Sequence, residues 1–226
     1  DYEAANGSSS HSGYGPAIFG TVHRNGTLST TEIVNSTLGG DRIDDILYLS
    51  NGDILISGWF CWGNAAQPAS SCSIGRNGVS VEAYEGDDAF IARLDSNGTW
   101  LWTIAMGGAL WDTTHSLAEG PNGELFALTS FCVNSGANTC ATAIPGFGTN
   151  ESYGKDDLIL VEISPTGIIQ WMQSMGSSEI DHGPEASPYR LMKKGIVATN
   201  DGGVIVAGSS CEQTTDCDFF IGDVTL

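Results

Sequence analysis

Asn122-Gly-Glu-Leu-Phe-Ala-Leu-Thr-Ser-Phe-Cys132 is one of three copies of a single motif. The others are Asn51-Gly-Asp-Ile-Leu-Ile-Ser-Gly-Trp-Phe-Cys61 and Asp201-Gly-Gly-Val-Ile-Val-Ala-Gly-Ser-Ser-Cys211. Each is a turn, then an apolar run, then a cysteine. A second cysteine follows each copy, at Cys140, Cys72 and Cys217. Another shared block comes next: Asp88-Ala-Phe-Ile-Ala-Arg-Leu-Asp95, Asp157-Leu-Ile-Leu-Val-Glu-Ile-Ser164 and Asp218-Phe-Phe-Ile-Gly-Asp-Val-Thr225. Pro16-Ala-Ile-Phe-Gly-Thr-Val-His23 is a degenerate earlier copy. Self-similarity of this kind marks a repeat architecture. It favours function through assembly or surface recognition over a single catalytic pocket.

The motif sits inside a unit of four short strands, A to D. Strand A covers Phe90–Leu94, and the Asp95-Ser-Asn-Gly98 segment turns the chain, Asn-Gly being a strong hairpin signal. Strand B covers Trp100–Met106, with Trp100, Trp102, Ile104 and Met106 on one face by period two. Strand C is Thr114–Ala118 and strand D is Leu125–Phe131. No long helical apolar pattern is present. The expected fold is all-β: about three four-stranded antiparallel blades of β-propeller type plus one extra C-terminal strand. Residues 1–15, rich in Ser and Gly, read as a flexible segment. The units run over about 16–87, 88–156 and 157–217, with the extra strand at 218–226.

The stretches Gly86–Gly108, Trp111–Phe131 and Lys155–Ser177 resemble the SBBP-type β-propeller repeats of prokaryotic cell-surface proteins. The resemblance covers about residues 16–226 and implies stacked blades. It implies little about function, because such blades host many roles.

The net charge of -19, from 27 acidic and 8 basic residues, excludes a nucleic-acid partner, which needs Lys and Arg against phosphate. Apolar runs are too short to span a bilayer as a helix, so no membrane insertion is expected. The six cysteines fall into local pairs, Cys61 with Cys72, Cys132 with Cys140 and Cys211 with Cys217, which read as three disulfides. Metal ligation is the weaker reading, for no pair has CxxC spacing. Closing each short loop contributes roughly 2–3 kcal/mol. Disulfides imply an oxidising compartment, and five glycosylation sequons, at Asn6, Asn25, Asn35, Asn97 and Asn150, agree with an extracellular or cell-surface glycoprotein.

The extra strand carries Phe219, Phe220, Ile221 and Val224. An unpaired apolar strand is an aggregation liability. It closes the chain's own sheet near the N-terminus, belongs to a longer propeller, or completes a neighbouring copy's sheet. The last option predicts a homopolymer: a structural, filament-forming subunit held by strand complementation. A carbohydrate- or protein-binding adhesion module is the alternative.

No catalytic cluster is legible, and no enzyme is expected. His11, His23, His115 and His182 are scattered. Asp87-Asp88, Asp156-Asp157 and Asp216 with Asp218 precede strand A in each unit. They read as acceptors for turn amides, with a repeated calcium site as the competing reading; no other cofactor is expected. Asp41, Asp44, Asp45, Asp112, Glu179 and Asp181 lie near the start of strand C. Their recurrence favours a structural role over acid-base hydrolysis. Trp59, Trp62, Trp100, Trp102, Trp111 and Trp171 could stack on sugar rings. Of these, Trp100, Trp102 and Trp171 read as blade packing, whereas Trp62, in the loop after Cys61, is the better candidate for contact with a glycan or partner.

Overall fold

A computed structural model describes residues 16–62, 72–133, 140–179, 181, 195–208 and 219–221. Among them every regular element is a strand. In chain order these are β1 (Ala17–Val22), β2 (Leu28–Val34), β3 (Arg42–Tyr48), β4 (Ile54–Phe60), β5 (Ser73–Arg76), β6 (Val79–Glu82), β7 (Asp88–Leu94), β8 (Trp100–Gly108) and β9 (Trp111–Glu119). They continue as β10 (Leu125–Val133), β11 (Ala141–Ile144), β12 (Gly148–Glu151), β13 (Asp157–Ile163), β14 (Ile169–Ser177), β15 (Ile196–Ala198), β16 (Val204–Val206) and β17 (Phe219–Ile221). All pairings between them are antiparallel.

The sheets are cut differently from the expected A-B-C-D unit. One large sheet runs β12-β11-β8-β7-β4-β3 and the other β17-β14-β13-β10-β9. Each therefore joins strands C and D of one sequence unit to A and B of the next. The reason is local. Strand D meets the following strand A across a full-length ladder, Ile54↔Leu94 to Phe60↔Asp88 and Leu125↔Ile163 to Phe131↔Asp157. Between strands B and C, as at residues 109–110 between β8 and β9, the chain crosses from one sheet to the next.

Four of the five sheets among the described residues stack face to face. Alternate residues of β4 and β7 point to opposite sides. In β8 a register shift at Arg93/Leu94 turns Trp100 to the other face from Trp102, Ile104 and Met106, correcting the expectation that period two keeps all four on one face. Ile56, Phe60, Phe90, Ala92 and Trp100 pack with Val34 under the β1-β2 hairpin. Leu55, Ala89, Ile91, Ile104 and Met106 pack against Leu117, Ala127, Phe131, Ile159 and Val161 of the second large sheet. That sheet's far face, with Phe126, Leu128, Leu158 and Leu160, is covered by Ile196 and Val204 of β15-β16. Strands apolar on both faces thus read as near-continuous apolar runs, the mark of a sheet buried on both sides. The large sheets are the inner layers and the two hairpins the outer ones. Among the described residues they form no closed barrel or propeller ring.

Two further expectations are corrected here. The loops between paired cysteines and strand A hold hairpins of their own, β5-β6 and β11-β12. The terminal strand is also not left unpaired: Phe219–Ile221 pair with Ser177–Met175 of β14 in the same chain. Val224 lies outside the described residues. Nor is β17 a leftover strand A. Two residues after the second cysteine of each pair, Ile74 bridges Ser36, Thr142 meets Gly108, and Phe219 meets Ser177. The register makes β17 the third copy of this post-cysteine edge strand.

Candidate functional site

The molecule has two ends. The turns after strand A, at Asn25 and Asn97, lie at one. The other gathers the cysteines, the recurrent aspartates and a group of tryptophans, because Phe60 and Asp88 are cross-strand neighbours far from the Leu94 turn.

At the cysteine end each layer is stitched to the next by the same parts. Asp41 accepts from Ser36 N (2.7 Å) and Cys61 N (3.2 Å). Asp112 accepts from Gly108 N (3.0 Å) and Cys132 N (3.2 Å). Asp181 accepts from Ser177 N and Oγ, at 2.5 and 2.6 Å. The carboxylates hold the B-to-C crossover against the cysteine corner, where Cys61 and Cys132 take the left-handed conformation (φ 70° and 64°) that few non-glycine residues adopt. The recurrence that argued for a structural role has this geometry behind it. Cys61–Cys72 and Cys132–Cys140 are disulfide-bonded, with Cα separations of 6.1 and 5.9 Å. Cys132 ends β10 in one large sheet and Cys140 precedes β11 in the other, so this bridge is an interlayer staple. Cys211 and Cys217 lie outside the described residues. The two disulfides point to a secreted or extracellular protein.

Of the aspartates before strand A, Asp88, Asp156 and Asp157 are buried and Asp87 is half-buried. Asp88 accepts from Tyr84 N at 2.5 Å, and Asp157 accepts from Tyr153 N. Their Oδ1 atoms are buried without a donor and lie over Gly107 and Gly176, their cross-strand neighbours. Burial pushes the Asp88 carboxyl up to about 9, reinforced by Asp112, and burial with Asp181 nearby raises Asp157 to about 7. Asp112 is also driven well above the usual range by burial. A neutral acid next to an acceptor carboxylate suits such pairs. Asp216 and Asp218 lie outside the described residues. Among the described residues no group of three or more His, Cys, Asp or Glu is placed to hold a metal ion.

The remaining acids of the crossover are engaged in other contacts. Asp44 accepts from Thr113 Oγ1 at 2.6 Å and pairs with Arg42. Asp45 accepts from Leu117 N, and Glu179 binds Lys155 at 2.8 Å. His115 meets Ser130 Oγ at 2.8 Å, while His23 is exposed. His11 and His182 lie outside the described residues.

Trp100 is buried, and Trp102 rests on the Pro165–Gly167 turn, its Nε1 donating to Pro165 O at 2.9 Å. Arg93 donates to the same oxygen and to Asp53. Trp171 donates to Glu162. Trp62 behaves differently. It is 37% exposed and stands on Trp59 and Trp111, with centroids 5.3 Å from each. Trp59 and Trp111 are themselves 5.9 Å apart. Sequence reading named Trp59 and Trp111 with Trp62 among the aromatic candidates but did not bring the three together, since the two supports come from β4 and from the start of β9 in the other large sheet.

Exposed apolar side chains concentrate on the outer hairpins: Ile18, Val22 and Leu28 on β1-β2, and Val197 and Ile205 on β15-β16. Ile46 and Tyr48 of β3 are also exposed, at 47% and 72%. Of the sequons, Asn25 and Asn97 are exposed at turns, Asn35 and Asn150 are half-buried, and Asn6 lies outside the described residues. Asn25 Oδ1 accepts from Thr27 N and Oγ1, which joins the two ends of its sequon. No helix among the described residues is long and apolar enough to cross a membrane. The chain matches no protein-family model and no curated protein.

Proposed function

We propose that this chain is a secreted, glycosylated structural subunit of β-propeller-type blade repeats, which assembles with copies of itself through its two outer hairpins. The observation that carries this is their complementarity. β1-β2 is the A-B half of a layer and β15-β16 is the C-D half, whereas both inner layers hold all four strands. In the inner layers strand A pairs with the preceding strand D. By the same rule β1 of one copy adds to β16 of another and restores a four-stranded layer, a form of β-augmentation.

The faces agree with the edges. In the restored layer Val197 and Ile205 turn toward the first large sheet of the next copy. On that sheet Leu47 packs inward, so Ile46 and Tyr48 point outward by alternation and are uncovered. Head-to-tail joining of this kind yields a filament unless the rotation closes it. The joint rests on the outer hairpins, since β17 occupies the β14 edge in its own chain. Exposed Asn25 and Asn97 turns favour a glycosylated surface. The SBBP-type resemblance supports the layered plan.

The test uses two variants with opposite defects. Ile18→Lys/Val22→Lys blocks the β1-β2 end and Val197→Lys/Ile205→Lys blocks the β15-β16 end. Light scattering and negative-stain electron microscopy of wild type are expected to give extended assemblies or rings. Each variant alone stays monomeric, and their mixture stops at dimers, since each contributes one intact end. Monomeric wild type at every concentration, or assemblies in both variants, overturns the reading.

A further inference from the structure

The geometry points to a binding site for neutral hexose rings on Trp62, separate from the assembly surfaces. Trp62 presents a partly open indole on a base of two further indoles, all three centroids within 6 Å. Its position is fixed from below. Trp62 N donates to Gly40 O at 3.1 Å, and a Cβ on Gly40 would stand 2.3 Å from Trp62 Cβ. Gly40 therefore makes room for this ring at this place. A ring held rigid on a rigid base loses little freedom when a ligand stacks on it, and low entropy cost is what makes tryptophan a strong anchor.

Two features separate the cluster from ordinary core packing. Trp111 Nε1 is buried without an acceptor, a cost that phenylalanine would avoid while filling the same space. Polar groups also stand beside the aromatic floor. Arg42 is the cross-strand partner of Trp59 and keeps 34% of its side chain exposed. Asp44 and Thr113 hold the Arg42 side of the site through the 2.5 and 2.6 Å contacts. An apolar ring face beside fixed polar groups suits a pyranose, whose axial C–H bonds meet the indole while its hydroxyls meet donors and acceptors.

The charge of the chain narrows the class. A net charge of -19 repels uronic and sialic acids, so the ligand is neutral. The exposed sequon turns lie at the opposite end of the molecule, so the chain's own glycans there leave the site open.

Saturation-transfer NMR on the enzymatically deglycosylated full chain, with cellotriose, maltotriose and mannotriose as probes, tests the assignment. At least one trisaccharide is expected to receive saturation at its ring protons, with tryptophan fluorescence changing over the same titration. Trp62→Ala weakens that binding about tenfold, the loss of roughly one ring contact. Trp62→Phe keeps part of it, Arg42→Gln weakens it, and His23→Ala leaves it unchanged. Trigalacturonate receives little saturation. Absence of transfer to all three neutral probes overturns the site, as does undiminished binding by folded Trp62→Ala. Tighter binding of trigalacturonate overturns the ligand class.

Discussion

Asp88 and Gly107 form a unit across the β7-β8 ladder, as do Asp157 and Gly176 across β13-β14. A Cβ at Gly107 would stand 1.8 Å from Asp88 Oδ1 and 2.3 Å from its Cγ, and at Gly176 it would stand 2.0 Å from Asp157 Oδ1. Gly107→Ala is therefore expected to destabilise the fold by about 1–3 kcal/mol, the usual cost of overpacking, read as a lower urea midpoint. An unchanged midpoint would show that the acid can swing away. The sequence made the aspartates visible by recurrence. It hid the glycines' role, because facing Asp88 depends on register and Gly107 resembles any strand-ending glycine.

The same acids set a pH dependence. Their folded pKa values lie above the ordinary aspartate value of about 3.8, at about 9 for Asp88 and about 7 for Asp157. The stability of the neutral form is thus fully present below pH ~3.8 and is lost as pH rises through the folded values. The exposed acids Asp95, Glu124 and Asp201 are shifted down by hydrogen bonds to nearby amides and side chains, and they act in the opposite sense only at acid pH. Melting temperature is expected to fall between pH 5 and pH 9, by about 2–4 °C for each kcal/mol lost. Asp88→Asn, which keeps the neutral shape without an ionisable proton, flattens that slope. A melting temperature that rises over this range would contradict the protonated pair.

At the scale of elements, the cysteine pairs were legible and their purpose was not. Offsets of 11 and 8 residues announce local bridges, yet the Cys132–Cys140 bridge joins segments of the two different large sheets. That follows only once β11 is seen on β8 rather than on β10. The same ambiguity misassigned β17. Asp218-Phe-Phe-Ile has the composition of a strand A, and only its seat on β14 identifies it as a post-cysteine strand. Replacing Cys132 and Cys140 together by alanine is expected to cost roughly 2–3 kcal/mol. The loss should concentrate in β11-β12, because Thr142 and Ala143 are the residues of that hairpin paired to β8. Hydrogen exchange would show it as faster exchange at Thr142–Ile144 with β10 and β13 still protected. Uniform acceleration would mean the staple supports the whole stack.

For the molecule as a whole, the repeated apolar runs and the Asn-Gly turns gave strand and turn positions within a few residues, because both are local signals. The cut between layers was not local. Which strand D meets which strand A depends on chain crossings that no window of sequence records. Charge sets the last expectation. Every copy carries -19 and a pI near 4.1, so at neutral pH the proposed joint forms against mutual repulsion. Salt at 0.15 M shortens the screening length to about 8 Å, against about 30 Å at 0.01 M. Light scattering on one concentration series should therefore reveal larger assemblies at physiological salt than at low salt, and larger still as pH approaches 5. Apolar burial between Val197, Ile205, Ile46 and Tyr48 would persist under both conditions, whereas a joint made of ion pairs would loosen as salt rises. Assemblies that dissolve on adding salt would shift the joint from these faces to charged contacts and sink the half-layer scheme.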